Sequence, residues 1–206
     1  MVHLDILTDI FAGVKFHPVI SLPDRYEVFD FTEGYEASRI LQSPFGIGRY
    51  NEERPSMYHY ALFQSPSGET RNIHLGIDIS APVGTPVYAF ANGQVFCASI
   101  NSAPGDYGGT IITSHLIGDL HFWVLHGHLS HESVSRRKPG QAIGPGEVLA
   151  AIGDKQENGG WNPHLHFQIS LQQPEKCDLP GTCSRRERAE ALRIYPDPRL
   201  ILGALY

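Results

Sequence analysis

Between residues 71 and 175 the chain alternates short β-prone stretches with turn-forming residues, and this punctuation leaves no room for long helices. Residues 73–79, 86–91, 94–99, 110–114 and 120–128 read as strands. Asn92-Gly93, between two of them, is a strong hairpin signal, and Pro145-Gly146 marks another turn. With 21 glycines and 15 prolines, both above average usage, the whole chain favours turns and short strands. The last strand follows Asn162-Pro163 and reads His164-Leu165-His166-Phe167-Gln168-Ile169. Residues i and i+2 of a strand share a face, so His164 and His166 stand side by side, roughly 6–7 Å apart at the backbone.

Two imidazoles on one groove suit work near an ion, and most of the 11 histidines fall between positions 74 and 166. His74-Leu75-Gly76-Ile77-Asp78 offers partners. In a straight strand His74 and Asp78 would lie about 13 Å apart, too far to share a metal. A helix is disfavoured by Gly76 and its β-branched neighbours. The chain must bend between the two, and Gly76 permits that. His74, Asp78 and one nitrogen of the 164/166 pair then make three protein ligands with a fourth position open for water, the pattern of a catalytic zinc site. His3, His17, His59, His115, His121 and His131 are read as surface or satisfied core residues. Asp78 could alternatively cap a turn, and Trp161 and Asn162 could line the groove or simply pack.

The rest of the chain narrows the class. Net charge is −6 with no long basic stripe, which argues against nucleic acid. No apolar run is long enough for a membrane span. The N-terminus lacks a basic start, and Asp5 and Asp9 interrupt its apolar run, so it is no signal peptide. With Met1 read as the native start, the expected compartment is the cytoplasm. Cys97 reads as a buried thiol. Cys177 and Cys183 flank a turn that could close a disulfide or a metal clip, with free thiols expected in the absence of an export signal. Leu4, Leu7, Ile10, Phe11 and Val14 predict a helix over 3–14. Residues 36–41 suggest a second short helix, Tyr58, Tyr60 and Leu62 alternate like a strand, and 187–194 predict a helix. The expected division is an N-terminal extension over 1–70, a core over 71–175, and a C-terminal loop and tail over 176–206.

His74-x-Gly76-x-Asp78 followed by His164-Leu165-His166 resembles the lysostaphin/LytM-type zinc metallopeptidases. Gly84-Thr85-Pro86-Val87, Ala91-Asn92-Gly93-Gln94-Val95, Gly146-Glu147-Val148 and Ile152-Gly153 extend the resemblance over roughly residues 70–170. Those enzymes cleave glycine-rich or D-amino-acid-containing cross-links of bacterial cell walls. The resemblance implies one Zn²⁺ on His74, Asp78 and His166, with His164 unligated beside it. It also implies a second unligated histidine from an aromatic-x-His-Leu motif. Here that motif reads His126-Gly127-His128-Leu129, with His126 in the aromatic position, which makes His128 the candidate. His128 and His164 are the implied catalytic residues, and which of them is the general base stays open.

The expected architecture is mainly β: an antiparallel, sandwich-like sheet forming a groove with zinc at its floor, and few short helices. The expected function is a zinc metalloendopeptidase acting on peptide or peptidoglycan-like substrates. The alternatives are a non-catalytic binding or regulatory module of the same fold, a hydrolase of a cytosolic amide, and a phosphocarrier-like use of paired histidines. Asp78 and Gly76 at ligand spacing count against the last.

Overall fold

The computed structural model describes residues 4–34, 43–64 and 68–206. The molecule is mainly β with few short helices. An eight-stranded sheet runs in the order β1 (Glu27–Val28), β2 (Gly46–Gly48), β4 (Ile77–Ser80), β11 (His164–Ser170), β8 (Leu120–Leu129), β7 (Gly108–Ile117), β6 (Gly93–Asn101) and β9 (Ala142–Ile143). Its neighbours are antiparallel except β1 and β2. Two smaller pairs complete the β structure: β5 (Pro86–Tyr88) with β10 (Val148–Ala151), and β3 (Ile73–His74) with β12 (Thr182–Cys183). The helices are α1 (Leu4–Ala12), α2 (His131–Ser135), α3 (Arg188–Ile194) and α4 (Arg199–Leu202).

Alternation along β11 sorts the two faces. Leu165, Phe167 and Ile169 join Ile77, Ile79, Phe122 and Val124 in the main core. Leu7 and Phe11 of α1, and Val87, Leu149 and Ala150 of the β5–β10 pair, belong to the same cluster. Phe90 meets Phe167 edge to face at 5.8 Å, and Phe11 meets Phe122 at 5.3 Å. Each such side chain contributes about 1.5–3 kcal/mol by leaving water. The other face carries His164, His166 and Gln168. Here Tyr107, Ile112, Trp123, Leu125 and Leu179 form a second apolar cluster. Strand β7 is therefore buried on both sides over Gly108–His115, including its polar residues Thr110, Thr113, Ser114 and His115.

Several local expectations differ from the structure. Asn92-Gly93 closes no hairpin: β5 pairs with β10, while β6 pairs with β7 and β9. Gly93 is needed for space instead, since a Cβ there would stand 2.5 Å from both His115 Nδ1 and the Ser114 carbonyl. Tyr58, Tyr60 and Leu62 are not a strand; residues Ala61–Phe63 form a 3₁₀ turn. Their aromatic alternation reflects packing, with Tyr58 and Tyr60 both edge-on to Trp161. The suggested helix at 36–41 lies outside the described residues. Cys97 is not a free thiol. It is bonded to Cys177 with Cα atoms 5.7 Å apart, and Cys183 is the buried free cysteine. The local turn between Cys177 and Cys183 does not pair them because β12 carries Cys183 away against Ile73. By the chain-entropy argument, a link across 80 residues contributes about 4–5 kcal/mol.

Candidate metal centre

The stretch 73–79, expected as one strand, is broken in two. Ile73 and His74 pair with β12 outside the main sheet, and Leu75 donates its N–H to the Gly181 carbonyl at 2.9 Å. The chain then turns back at Gly76 into β4. This break brings His74 Nε2 to 3.2 Å from Asp78 Oδ1. The antiparallel register places Asp78 opposite His166, so the third ligand comes from the neighbouring strand. His166 Nδ1 lies 3.1 Å from Asp78 Oδ1 and 3.1 Å from His74 Nε2. Atoms held about 2.0–2.1 Å from a tetrahedral ion stand about 3.3 Å apart, so this triangle fits a single metal. His74, Asp78 and His166 form the one such group among the described residues.

The surrounding atoms fix which nitrogens face the centre. His74 Nδ1 donates to the Arg49 carbonyl at 2.9 Å, leaving the Nε2 lone pair inward. His166 Nε2 donates to Gln168 Oε1 at 2.9 Å, leaving Nδ1 inward. Gln168 is held in that sense by its own donation to the Pro180 carbonyl at 3.1 Å. Two imidazole lone pairs and a carboxylate oxygen thus converge with no donor between them, an arrangement a cation relieves. Gly76 makes room for it: a Cβ there would lie 2.5 Å from His166 Nε2 and Cε1, and 2.9 Å from the Phe167 carbonyl. Gly76→Ala is expected to push the His166 ring aside and weaken metal binding about 10- to 100-fold. Competition against a metallochromic indicator measures this, and unchanged affinity would refute it.

Asp78 is also supported from below. Its Oδ2 accepts from Arg54 Nη1 at 2.8 Å. Arg54 is 1% exposed. It binds Glu52 through Nε at 2.9 Å, the Tyr58 hydroxyl at 3.1 Å and the Arg49 carbonyl at 3.3 Å. Burial would raise the Asp78 carboxyl, but His74 and the Arg54 guanidinium hold it well below the usual carboxylate range. Burial and the nearby Arg54 charge push His74 down to about 4, so it is neutral at pH 7. Sequence reasoning missed Arg54, Glu52 and Gln168. Gln168 had a signal, being the next residue on the His164/His166 face. Arg54 had none, since nothing local announces a buried arginine.

The remaining histidines divide sharply. His164 Nε2 is 3.7 Å from Asp78 Oδ1, outside the ligand triangle, and its Nδ1 donates to the Asn162 carbonyl at 2.6 Å. The His128 ring lies 4.1 Å from that of His164, and its Nδ1 donates to the Asn158 carbonyl at 2.9 Å. Both rings therefore keep Nε2 as the free lone pair. Burial lowers both pKa values, His128 well below its ordinary value. His126 does not share their face. It packs edge-on against Phe167 in the core, where burial pushes it down to about 3. In a regular strand His126 and His128 would point the same way. One extra residue in β8 opposite 109–111 of β7, and a left-handed φ of 63° at His128, turn the second histidine to the other face. A non-glycine residue held there costs on the order of 1–3 kcal/mol, and such strain concentrates at functional sites.

A cavity of about 750 Å³ opens onto these residues. It is lined by His74, Asp78, His128, His164 and His166 together with apolar groups such as Tyr58, Phe63 and Trp161, and by the loop through Leu179 and Pro180. The Cys97–Cys177 disulfide anchors that loop to β6.

The sequence profile described as Peptidase family M23 matches residues 72–178. The DD-carboxypeptidase/endopeptidase Mpg of Neisseria meningitidis serogroup B is 30% identical over 178 residues, covering 76% of this chain and 37% of that protein. The peptidoglycan DD-endopeptidase ShyC of Vibrio cholerae is 29% identical over 161 residues, covering 73% of this chain and 32% of that protein. The chain thus spans about a third of the length of the curated relatives it matches. Among solved structures, the catalytic domain of the prophage-encoded M23 protein EnpA from Enterococcus faecalis is 23% identical, with a TM-score of 0.46, covering 70% of this chain and 95% of that one.

Proposed function

Because the chain belongs to peptidase family M23, we propose that it is a zinc-dependent endopeptidase hydrolysing peptide bonds in peptidoglycan-type cross-links. The observation that carries this reading is the triangle of His74 Nε2, Asp78 Oδ1 and His166 Nδ1 in the cleft, with His164 and His128 beside it. Two imidazoles and one carboxylate, with a side open to the cavity, are a donor set suited to catalytic zinc. Zinc, when bound there, supplies a Lewis acid for the scissile carbonyl and a water acidic near neutral pH.

The chain's own residues do the rest. His128 is buried and His164 partly buried; both are neutral at pH 7 and tied through Nδ1 to backbone carbonyls. Each can accept a proton at Nε2 from the attacking water, or return one to the departing amine. Tyr58, Phe63 and Trp161 along the cleft offer a bound peptide apolar surface to pack against. The relatives' names support a D-amino-acid-containing wall peptide as substrate.

A different observation bears on the compartment. The Cys97–Cys177 disulfide supports an oxidising environment in place of the cytoplasm suggested by the N-terminal residues. No described helix is long and apolar enough to cross a membrane.

The test is a cleavage screen over D-Ala-containing wall peptides, pentaglycine and ordinary peptides, run with metal analysis. The expected result is about one zinc per chain and turnover of the wall peptides. His164→Ala and His128→Ala should keep the zinc and lose turnover by about 10²-fold or more. Zinc bound with no turnover on any of these peptides would overturn the enzyme reading.

A further inference from the structure

Tyr107 lies against both kinds of histidine in the centre. Its ring centroid is 5.6 Å from that of His128 and 5.1 Å from that of the ligand His166. The rings of His128 and His166 are themselves 6.3 Å apart. The Tyr107 hydroxyl donates to Gln168 Oε1 at 3.4 Å, the same oxygen that accepts from His166 Nε2 at 2.9 Å. The backbone is tied to the same place. The Tyr107 carbonyl accepts the His128 N–H at 2.9 Å, and the Tyr107 N–H donates to Asp106 Oδ1 at 2.8 Å. Tyr107 is 7% exposed. Two glycines from other elements leave room for its side chain. A Cβ on Gly127 of β8 would stand 2.7 Å from Tyr107 Cδ1, and a Cβ on Gly181 would overlap the Tyr107 hydroxyl.

The His128 ring needs such a neighbour. Its backbone is held in the left-handed region, and among the described residues its ring makes one hydrogen bond, from Nδ1 to the Asn158 carbonyl. One bond at one nitrogen leaves a ring free to rock about it, whereas an aromatic ring packed alongside restricts it. A group that takes up or delivers a proton has to be held within a fraction of an ångström of the reacting atom. We infer that Tyr107 is a positioning residue for the reaction: its ring holds the His128 imidazole in a single orientation, Nδ1 on Asn158 and the Nε2 lone pair available, and keeps that imidazole apart from the ligand His166. The hydroxyl contributes less. At 3.4 Å its bond is longer than a usual O–H···O bond, and His166 keeps its own bond to Gln168 without it. The inference deepens the peptidase reading and rests on it for the part His128 plays in proton transfer.

The test pairs kinetics of the zinc-loaded protein with long-range proton–nitrogen correlation spectra, which report the tautomer of each histidine ring. Tyr107→Leu keeps an apolar side chain and removes the ring. It should lower kcat about 100-fold with KM little changed, and lower zinc affinity by less than about tenfold. The His128 nitrogens should move from a single Nδ1–H pattern in wild type to averaged values. Tyr107→Phe should restore the wild-type pattern and most of kcat. Gly181→Ala drives a methyl against the Tyr107 hydroxyl and should reproduce the leucine phenotype in milder form. Adding Tyr107→Phe to Gly181→Ala removes the clashing oxygen and should recover both readouts. A Tyr107→Leu protein that keeps either the wild-type spectrum or the wild-type kcat would overturn the positioning role. A Tyr107→Phe protein as impaired as Tyr107→Leu would overturn it too, because the hydroxyl would then be the group that matters. The spectra need no turnover, so they decide the role of Tyr107 even where wild type cleaves none of the peptides. If Tyr107→Leu does not fold, the Gly181→Ala pair decides: no recovery on removing the oxygen refutes the inference.

Discussion

A His166→Ala protein is expected to lose zinc and hydrolysis together. The substitution deletes one corner of a triangle whose sides are 3.1–3.2 Å, and among the described residues no other side chain joins that metal-ligand group. His164, the nearest alternative on the same strand face, has Nε2 3.7 Å from Asp78 Oδ1 and its other nitrogen committed to the Asn162 carbonyl. Zinc affinity should fall by more than the roughly 100-fold that loss of a supporting outer group can cost. Thermal unfolding gives an independent readout. Wild type at a zinc concentration about 1,000 times its Kd gains about 4 kcal/mol of stability, and the variant should gain almost none. His164→Ala is the control, expected to keep the zinc-dependent gain. A His166→Ala protein that still takes up zinc, alongside a His164→Ala protein that does not, would reverse the roles of the two histidines.

The second large effect is expected away from the ion. Arg54→Met removes the cation that pairs with Asp78 and one of the two described cations on Glu52, the other being Arg49. Breaking a fully buried pair from one side costs about 3–5 kcal/mol; Glu52 keeps Arg49 and Asp78 is partly exposed, so the expected loss is at the lower end, about 3 kcal/mol. Denaturant unfolding of the metal-free protein should show a loss of that size. The loss should shrink when zinc is added, since the ion gives Asp78 a new partner. The pH dependence follows in sign. Asp78 is depressed in the folded state, so its contribution is present above the ordinary carboxylate range and fades as pH falls towards the depressed value. Arg54→Met should flatten that acid-side loss. A variant as stable as wild type without metal would show that Arg54 does not support the site.

The parts of the molecule legible in the sequence are those governed by short-range periodicity. His164, His166 and Gln168 share a face because strands alternate, and β11 is regular enough for the rule to hold. Gly76 could be read as a bend because no unbent chain lets His74 and Asp78 meet. Where a tertiary contact overrides the local pattern, the reading fails. Asn92-Gly93 has the chemistry of a tight turn, yet the space beside His115 and Ser114 is what requires the glycine. His126 and His128 are two residues apart, as His164 and His166 are, yet one bulge and one left-handed residue send them to opposite faces. The Cys97–Cys177 bond joins elements 80 residues apart, a distance over which spacing carries no information. Arg54 is hidden for the same reason: its acid partner Asp78 is 24 residues downstream.

Arg54 also joins the wall of the cleft to its metal ligands. Tyr58 lines the cavity and shares the Arg54 Nη1 with Asp78, while the Arg49 carbonyl is shared by Arg54 and His74. A molecule that settles against Tyr58 therefore pulls on the same chain of hydrogen bonds that sets the positions of two ligands. Ion and occupant are then thermodynamically linked: whatever factor the ion adds to the occupant's affinity, the occupant must return to the ion's.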